Sequence, residues 1–141
     1  MQPARVRLGL AILTIVPAGL YTKHYTGPAA TWVHNYLGGV FYEWFWIWVW
    51  MWLRPTSKPA TVGFLVLGVT TLLEFLQLVS TPWLQAIRSH WVGQALVGTS
   101  FSWLDLPHYV LGTLSGVYLA RWLGRAKVIQ PASSPSKRSS T

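Results

Sequence analysis

Acidic residues are nearly absent: the 141 residues include only Glu43, Glu74 and Asp105, and cysteine is missing altogether. Without cysteine there is no disulfide framework, no iron–sulfur cluster and no thiol nucleophile, whatever the compartment. Charge of either sign is scarce, at 10% of residues against about 25% in an ordinary soluble domain. There is no Gly-rich phosphate loop and no H-E-x-x-H pair. The four histidines, His24, His34, His90 and His108, show no ligand spacing, so neither a metal nor a cofactor is expected.

The charge that is present is basic, eleven Lys and Arg for a net +8. In so small a chain that balance first suggests a nucleic-acid binder. Its distribution argues against nucleic acid, because the basic residues sit at the ends of segments whose middles are apolar. Hydrophobic residues make up 52% of the chain. This is the composition of an all-α, polytopic membrane protein whose first partner is the lipid bilayer.

Four apolar stretches approach the ~20 residues needed to cross ~30 Å of hydrocarbon. They run from about Val6 to Thr22 (with Pro17 inside as a kink), Tyr36 to Leu53, Ala60 to Val79 and Asp105 to Leu123. Loops rich in Lys and Arg stay cytoplasmic. With the N-terminus inside, that side receives nine of the eleven basic residues: Arg5, Arg7, Arg54, Lys58, Arg121, Arg125, Lys127, Lys137 and Arg138. Lys23 and Arg88 fall outside. The sequence therefore predicts a multi-pass protein of the inner (plasma) membrane with four transmembrane helices and both termini cytoplasmic. A cleaved signal peptide is the rival reading of the first stretch, but no small-x-small site precedes Tyr21. Residues 1–123 form the transmembrane domain. Residues 124–141 form a basic Ser/Pro-rich tail with almost nothing to bury from Gln130 onward, a composition that predicts disorder.

Spans three and four are joined by a long connection, Ser80 to Leu104. Leu84, Ile87, Trp91 and Ala95 recur there at helical spacing, opposite Gln85, Arg88 and Ser89. A short helix over 83–98 fits the pattern. It lies either in the outer interface, anchored by Trp83, Trp91 and Trp103, or re-enters the bundle with Gly93 and Gly98 at its bends. The alternating Trp44, Trp46, Trp48, Trp50 and Trp52 have the period of a strand, but a lone strand leaves its backbone unpaired in lipid. A helix is expected, its indoles packing and anchoring rather than stacking a ring-bearing lipid, quinone or pigment.

A carboxylate in a bilayer costs at least ~2.5–3.5 kcal/mol, so it normally faces the bundle and has a partner. Each acid belongs to a different span and all three fall in the outer half. Arg88, the only Arg on that side, is the expected counter-ion of Glu74, Asp105 or both. Gln77 shares a helical face with Glu74, and His108 follows Asp105 by one turn. The candidate polar site is therefore Glu74, Gln77, Arg88, Asp105 and His108, with Glu43 as a secondary candidate. Each has a plainer reading as well: Glu74 and Gln77 as polar glue between helices, Ser102-x-x-Asp105 as a capping box, His108 as a packing residue. Gly112-x-x-x-Gly116 permits close helix approach.

The order Glu74-x-x-Gln77, Pro82-Trp83-Leu84, Ile87-Arg88, Gly98, Phe101-Ser102-Trp103-x-Asp105, Tyr109, Gly112 resembles the bacterial family catalogued as domain of unknown function 2809. The resemblance is dense over residues 74–112 and loose before them, and it implies a small multi-pass membrane protein with no established activity. More distantly the chain is similar to VanZ-like proteins linked to glycopeptide-antibiotic resistance. These share a Glu-x-x-Gln, a following Arg, and an Asp with Gly seven and eleven positions on, here Asp105, Gly112 and Gly116. Tyr109 stands where that pattern has Asn. The resemblance implies Glu74, Gln77, Arg88 and Asp105 as the positions to test.

Two function classes follow. One is a binding or accessory protein that engages an anionic or amphiphilic envelope lipid, or another membrane protein, through the outer polar site. The other is a membrane enzyme or transporter acting on a polyprenyl-type substrate, with Glu74 or Asp105 accepting a proton and Arg88 holding an anionic headgroup. No nucleophile or metal cage accompanies the acids, so the first class leads.

Overall fold

The computed structural model describes residues 3–125. The basic tail from residue 126 onward, with Lys127, Lys137 and Arg138, lies outside the described residues. Among the described residues the fold is all-helical. Its elements are α1 (Pro3–Tyr21), α2 (Ala30–Trp32), α3 (Gly38–Leu53), α4 (Pro59–Leu76), α5 (Pro82–Arg88), α6 (Trp91–Val97) and α7 (Asp105–Arg125). A short 3₁₀ turn, Thr22–His24, ends α1, and a π-helical stretch, Val33–Leu37, carries α2 into α3. Pro59 and Pro82 open their helices at the first turn, where the missing N–H leaves no bond unmade. Among the described residues two helices are long and apolar enough to cross a membrane, one over Ala4–His24 and the other over Pro59–Leu76. The Trp-rich α3 is a helix, but at 16 residues it rises only ~24 Å by itself.

Helix α3 is central, packed on α1, α4 and α7. Side-chain contacts set the directions. Arg5 Nε donates to the Trp52 carbonyl at 3.1 Å, satisfying an orphan acceptor at the end of α3. Lys23 Nζ donates to the His34 carbonyl at 2.7 Å at the opposite end, so α1 and α3 are antiparallel. Helices α3 and α7 run parallel: Gly39 faces Tyr109, Glu43 faces Gly112, and Trp44 faces Gly116. A Cβ on Gly112 would sit 2.9 Å from the Glu43 Cβ and 3.0 Å from the Val40 Cα. Helix α4 runs against both, with Gly63 beside Val117 and Thr113 at one end and Glu74 beside Tyr109 at the other.

The apolar core of Leu8, Ile15, Ile47, Trp48, Met51, Val62 and Ala120 fills mainly the Arg5–Trp52 end of the bundle. Indoles tie the parallel pair together. Trp44 Nε1 donates to Ser115 Oγ at 2.8 Å and Trp48 Nε1 to the Gly116 carbonyl at 3.1 Å. Of the remaining Trp side chains of α3, Trp50 and Trp52 are exposed and Trp46 is half-buried.

The connection between α4 and α7 departs from the expected single helix. It forms two helices, because His90 adopts an extended backbone that breaks the helical period. Leu84 is buried while Ile87 and Trp91 are exposed, so the anticipated apolar stripe is not one face. Gly93 packs directly on the Ile87 carbonyl, which folds α6 back on the end of α5. The carbonyls of the last turn of α6 are taken up by the bundle: Tyr42 Oη donates to Leu96 O at 2.9 Å and Gln77 Nε2 to Val97 O at 3.0 Å.

A methyl at Gly112 must push α7 off α3, and overpacking of this kind costs about 1–3 kcal/mol. Gly68 has nothing within 4 Å of its would-be Cβ. Gly112→Ala is therefore expected to lower the denaturation midpoint of the protein in mild detergent, with Gly68→Ala at or above wild type. Equal midpoints for the two variants would contradict the α3–α7 packing.

Candidate functional site

Helix α4 delivers Glu74 from its last turn into the end of the bundle opposite the packed core, where it is buried. Its carboxyl is met by donors from two other parts of the chain. Oε1 accepts the Ser102 backbone N–H at 2.7 Å. Oε2 accepts the Tyr109 hydroxyl at 2.9 Å and, more weakly, the Gln77 amide at 3.3 Å. These neutral donors satisfy both oxygens, which is the condition for keeping a buried polar group. The Gln77 amide nitrogen is shared with Val97 O, which leaves Gln77 Oε1 buried without a partner. Gly98, at φ +75, presses its backbone against this amide; a side chain there would be both strained and clashing.

Asp105 opens α7, and its backbone N–H donates to Ser102 O at 3.1 Å. Ser102, Glu74, His108 and Lys23 line the same cleft as its carboxyl. His108, in the same first turn, is held at both ring nitrogens. Nδ1 lies 2.6 Å from the Leu104 carbonyl, which can only accept, so Nδ1 carries the proton. Nε2 is then the acceptor of the Trp32 indole N–H at 3.1 Å. Tyr36, from the π-helical stretch, stacks on the ring at 4.5 Å. With both nitrogens engaged, the imidazole cannot act as a base or a ligand without leaving this clamp.

These groups line one cleft of about 1140 Å³. Lys23, Glu74, Gln77, Asp105, His108 and Tyr109 supply its polar wall, while Ile15, Leu20, Phe41 and Phe45 supply an apolar one. Trp46 Nε1, also on its lining, is buried without an acceptor. No group of three or more His, Cys, Asp or Glu among the described residues is arranged to hold a metal.

The expected Arg88 ion pair is not formed. Arg88 ends α5, lies off the cleft, and keeps Nε and Nη2 buried without partners. The reason is geometric and chemical together. The break at His90 turns α5 away, and backbone and phenol donors already occupy the Glu74 oxygens. Glu43 is also apart from the cleft lining, fully buried, with Oε2 accepting the Thr113 hydroxyl at 2.8 Å. The structure thus brings Glu74, Gln77, Asp105 and His108 together, leaves Arg88 out, and sets Glu43 deeper. Tyr109, Thr70 and Thr113 are the residues a reading of charges misses. They were visible as helical stripes: Thr70, Glu74, Gln77 on α4, and Asp105, Tyr109, Thr113 on α7, each spaced to share a face.

The family model described as "Protein of unknown function (DUF2809)" matches residues 29–113. The chain belongs to this family, whose activity is uncharacterised. The matched residues run from the start of α2 to the middle of α7, and so include the cleft except for its α1 side. No solved structure matches this one.

Tyr109→Phe removes the shorter of two donors to Glu74 Oε2, a loss of about 1–3 kcal/mol for a buried acceptor. It is expected to destabilise the protein in detergent by that amount. Arg88→Gln, which breaks no ion pair, should cost less. An Arg88→Gln effect larger than that of Tyr109→Phe would show that Arg88, not Tyr109, satisfies the carboxyl.

Proposed function

We propose that the chain is a four-span protein of the plasma membrane, both termini cytoplasmic, and that its outer cleft binds the polar end of an amphiphile. The four-span reading draws support from where apolar surface lies. Leu13, Phe64, Leu72 and Leu114 are 64–81% exposed while Glu43 and Glu74 are buried, the reverse of the arrangement favoured in water. Helix α3, too short alone, gains length from α2 and the π-helical stretch ahead of it. Basic residues divide accordingly, with Arg5, Arg54, Lys58 and Arg121 toward the packed end and Lys23 toward the cleft. Exposed Trp83, Trp91 and Trp103 suit the headgroup level beside the mouth.

The cleft is the observation that carries the binding reading. It is large enough for a headgroup and the first part of a chain, and it pairs a polar wall with an apolar one. Binding takes precedence over turnover because His108, the obvious base, is held at both ring nitrogens. Arg88 has no part in gripping a headgroup, since it does not face the cleft.

Topology and binding have separate tests. The chain has no cysteine, so single introduced thiols report cleanly. In intact cells an impermeant maleimide is expected to label Ser89→Cys, and Ser57→Cys only after permeabilisation; the opposite pattern ends the four-span reading. For binding, native mass spectrometry from gentle detergent should show a co-purified amphiphile on wild type and on Arg88→Ala. Gly19→Leu should lose it, because Gly19 lines the cleft with only Phe41 near its would-be Cβ. Bare wild-type protein, or an adduct that survives Gly19→Leu, would overturn the reading.

A further inference from the structure

Glu43 lies at the crossing of α3, α4 and α7 and belongs to none of the contacts that build the cleft. It is 0% exposed. Against its Cβ and Cγ stands the bare backbone of Gly112, so α7 closes over it. Its Oε2 accepts the Thr113 hydroxyl at 2.8 Å, and its Oε1 is buried with no hydrogen-bond partner. From α4 the Thr70 hydroxyl faces the same carboxyl, but Thr70 has spent its one proton on the Val66 carbonyl at 2.8 Å. Oε1 is thus a buried acceptor to which neither Thr70 nor any other described residue donates a proton.

The titratable groups around Glu43 supply no counter-charge. Tyr42 is on its own helix, Tyr109 is on α7, and Glu74 on α4 stands beyond Tyr109. Helix α1 presents no charged group to it, and no Lys, Arg or His among the described residues lies at ion-pair distance. A bound metal cation would want six or more oxygens, against one carboxyl and two hydroxyls here. A single proton on Oε1 neutralises the carboxyl and gives it a hydrogen to turn toward Thr70, whose own hydroxyl donates to Val66 O while Thr113 donates to Oε2.

We propose that Glu43 is a proton-binding site that fills and empties through the cleft by way of the Thr70 hydroxyl. Thr70 lines the cleft and Glu43 does not, so one hydroxyl separates the carboxyl from that space. In transfer, Thr70 Oγ1 takes a proton from a hydronium ion in the cleft, which leaves as water, and turns its own from Val66 to Glu43 Oε1. One O–H bond forms and one breaks at Thr70, and the carboxylate becomes a neutral acid. Release reverses these steps. The site stands whether or not the cleft takes an amphiphile.

The chain has two glutamates, which makes the test direct. Full-length protein labelled with ¹³C at the glutamate side-chain carboxyl and placed in lipid nanodiscs should give two carboxyl signals, assigned with Glu74→Gln. The Glu43 signal is expected in its protonated form at neutral pH and to show the deuterium isotope shift after transfer to D₂O. Thr70→Val should slow that exchange at least tenfold, and Thr70→Ser should restore it. An ionised Glu43 at neutral pH overturns the proposal. So does a protonated Glu43 that never exchanges, or one that exchanges equally fast in Thr70→Val. The wild-type spectrum decides the first two outcomes even if the valine variant does not fold, and Thr70→Ser with wild-type exchange supports the route.

Discussion

Helices α3 and α7 run side by side in the same direction, and the lack of side chains at Gly112 and Gly116 is what allows it. At Gly112 the α7 backbone meets the Glu43 side chain and the α3 backbone at Val40; at Gly116 it meets Trp44 and Ile47. Close approach turns Thr113 onto Glu43 and brings Ser115 and the Gly116 carbonyl within reach of the Trp44 and Trp48 indoles. Apolar packing sets the distance, and the polar groups then fix which residues face which. Neither works alone. Helix contact without these hydrogen bonds would leave a carboxyl oxygen, the Thr113 hydroxyl and two indole N–H groups without partners, at a cost of the order of 1–3 kcal/mol for each that is buried.

The two buried carboxyls are met by neutral donors. Glu74 takes a backbone N–H, a phenol and an amide; Glu43 takes a threonine hydroxyl. Neutral donors spare the chain the desolvation of a second ion, a penalty that often exceeds the gain from a buried ion pair. They also explain why Arg88 is dispensable to the carboxyls. Had Glu74 depended on Arg88, the α5–α6 turn would have had to place a guanidinium inside the bundle. Instead, the backbone just ahead of α7 comes to Glu74, and its Ser102 N–H does the same service without bringing in charge.

Much of this site was legible as pattern. Period-3.6 spacing puts Glu74 with Gln77 and Thr70, and Asp105 with Tyr109 and Thr113, because those separations share a helical face whatever the rest of the chain does. The G-x-x-x-G on α7 was equally readable, since small residues one turn apart signal close approach. The partner of Glu74 was not legible. Choosing Arg88 followed opposite charge, the strongest pairwise preference, but pairing across 14 residues depends on the path of the connection. That path is set by the extended backbone at His90 and by Gly93 folding onto Ile87, and neither has a periodic signature. The apolar stripe from Leu84 to Ala95 failed for the same reason: it assumed one unbroken helix where the backbone bends midway.

The bundle is asymmetric along its length, and the asymmetry explains why so many polar residues share one end. The end near Arg5 and Trp52 is closed by side-chain packing. The opposite end is closed by hydrogen bonds to chain that packs little by itself: Tyr42 and Gln77 hold the last carbonyls of α6, and Glu74 holds the Ser102 N–H. Gln77, Glu74 and Tyr42 therefore do two things. They form part of the polar wall of the cleft, and they anchor the segment that encloses it. Wall and enclosure share the same side chains, so a substitution that alters what the cleft presents to a ligand also loosens the backbone around it. This coupling ties Glu74 and Gln77, two side chains on a single helical turn, to the backbone of the loop at Ser102 and Val97.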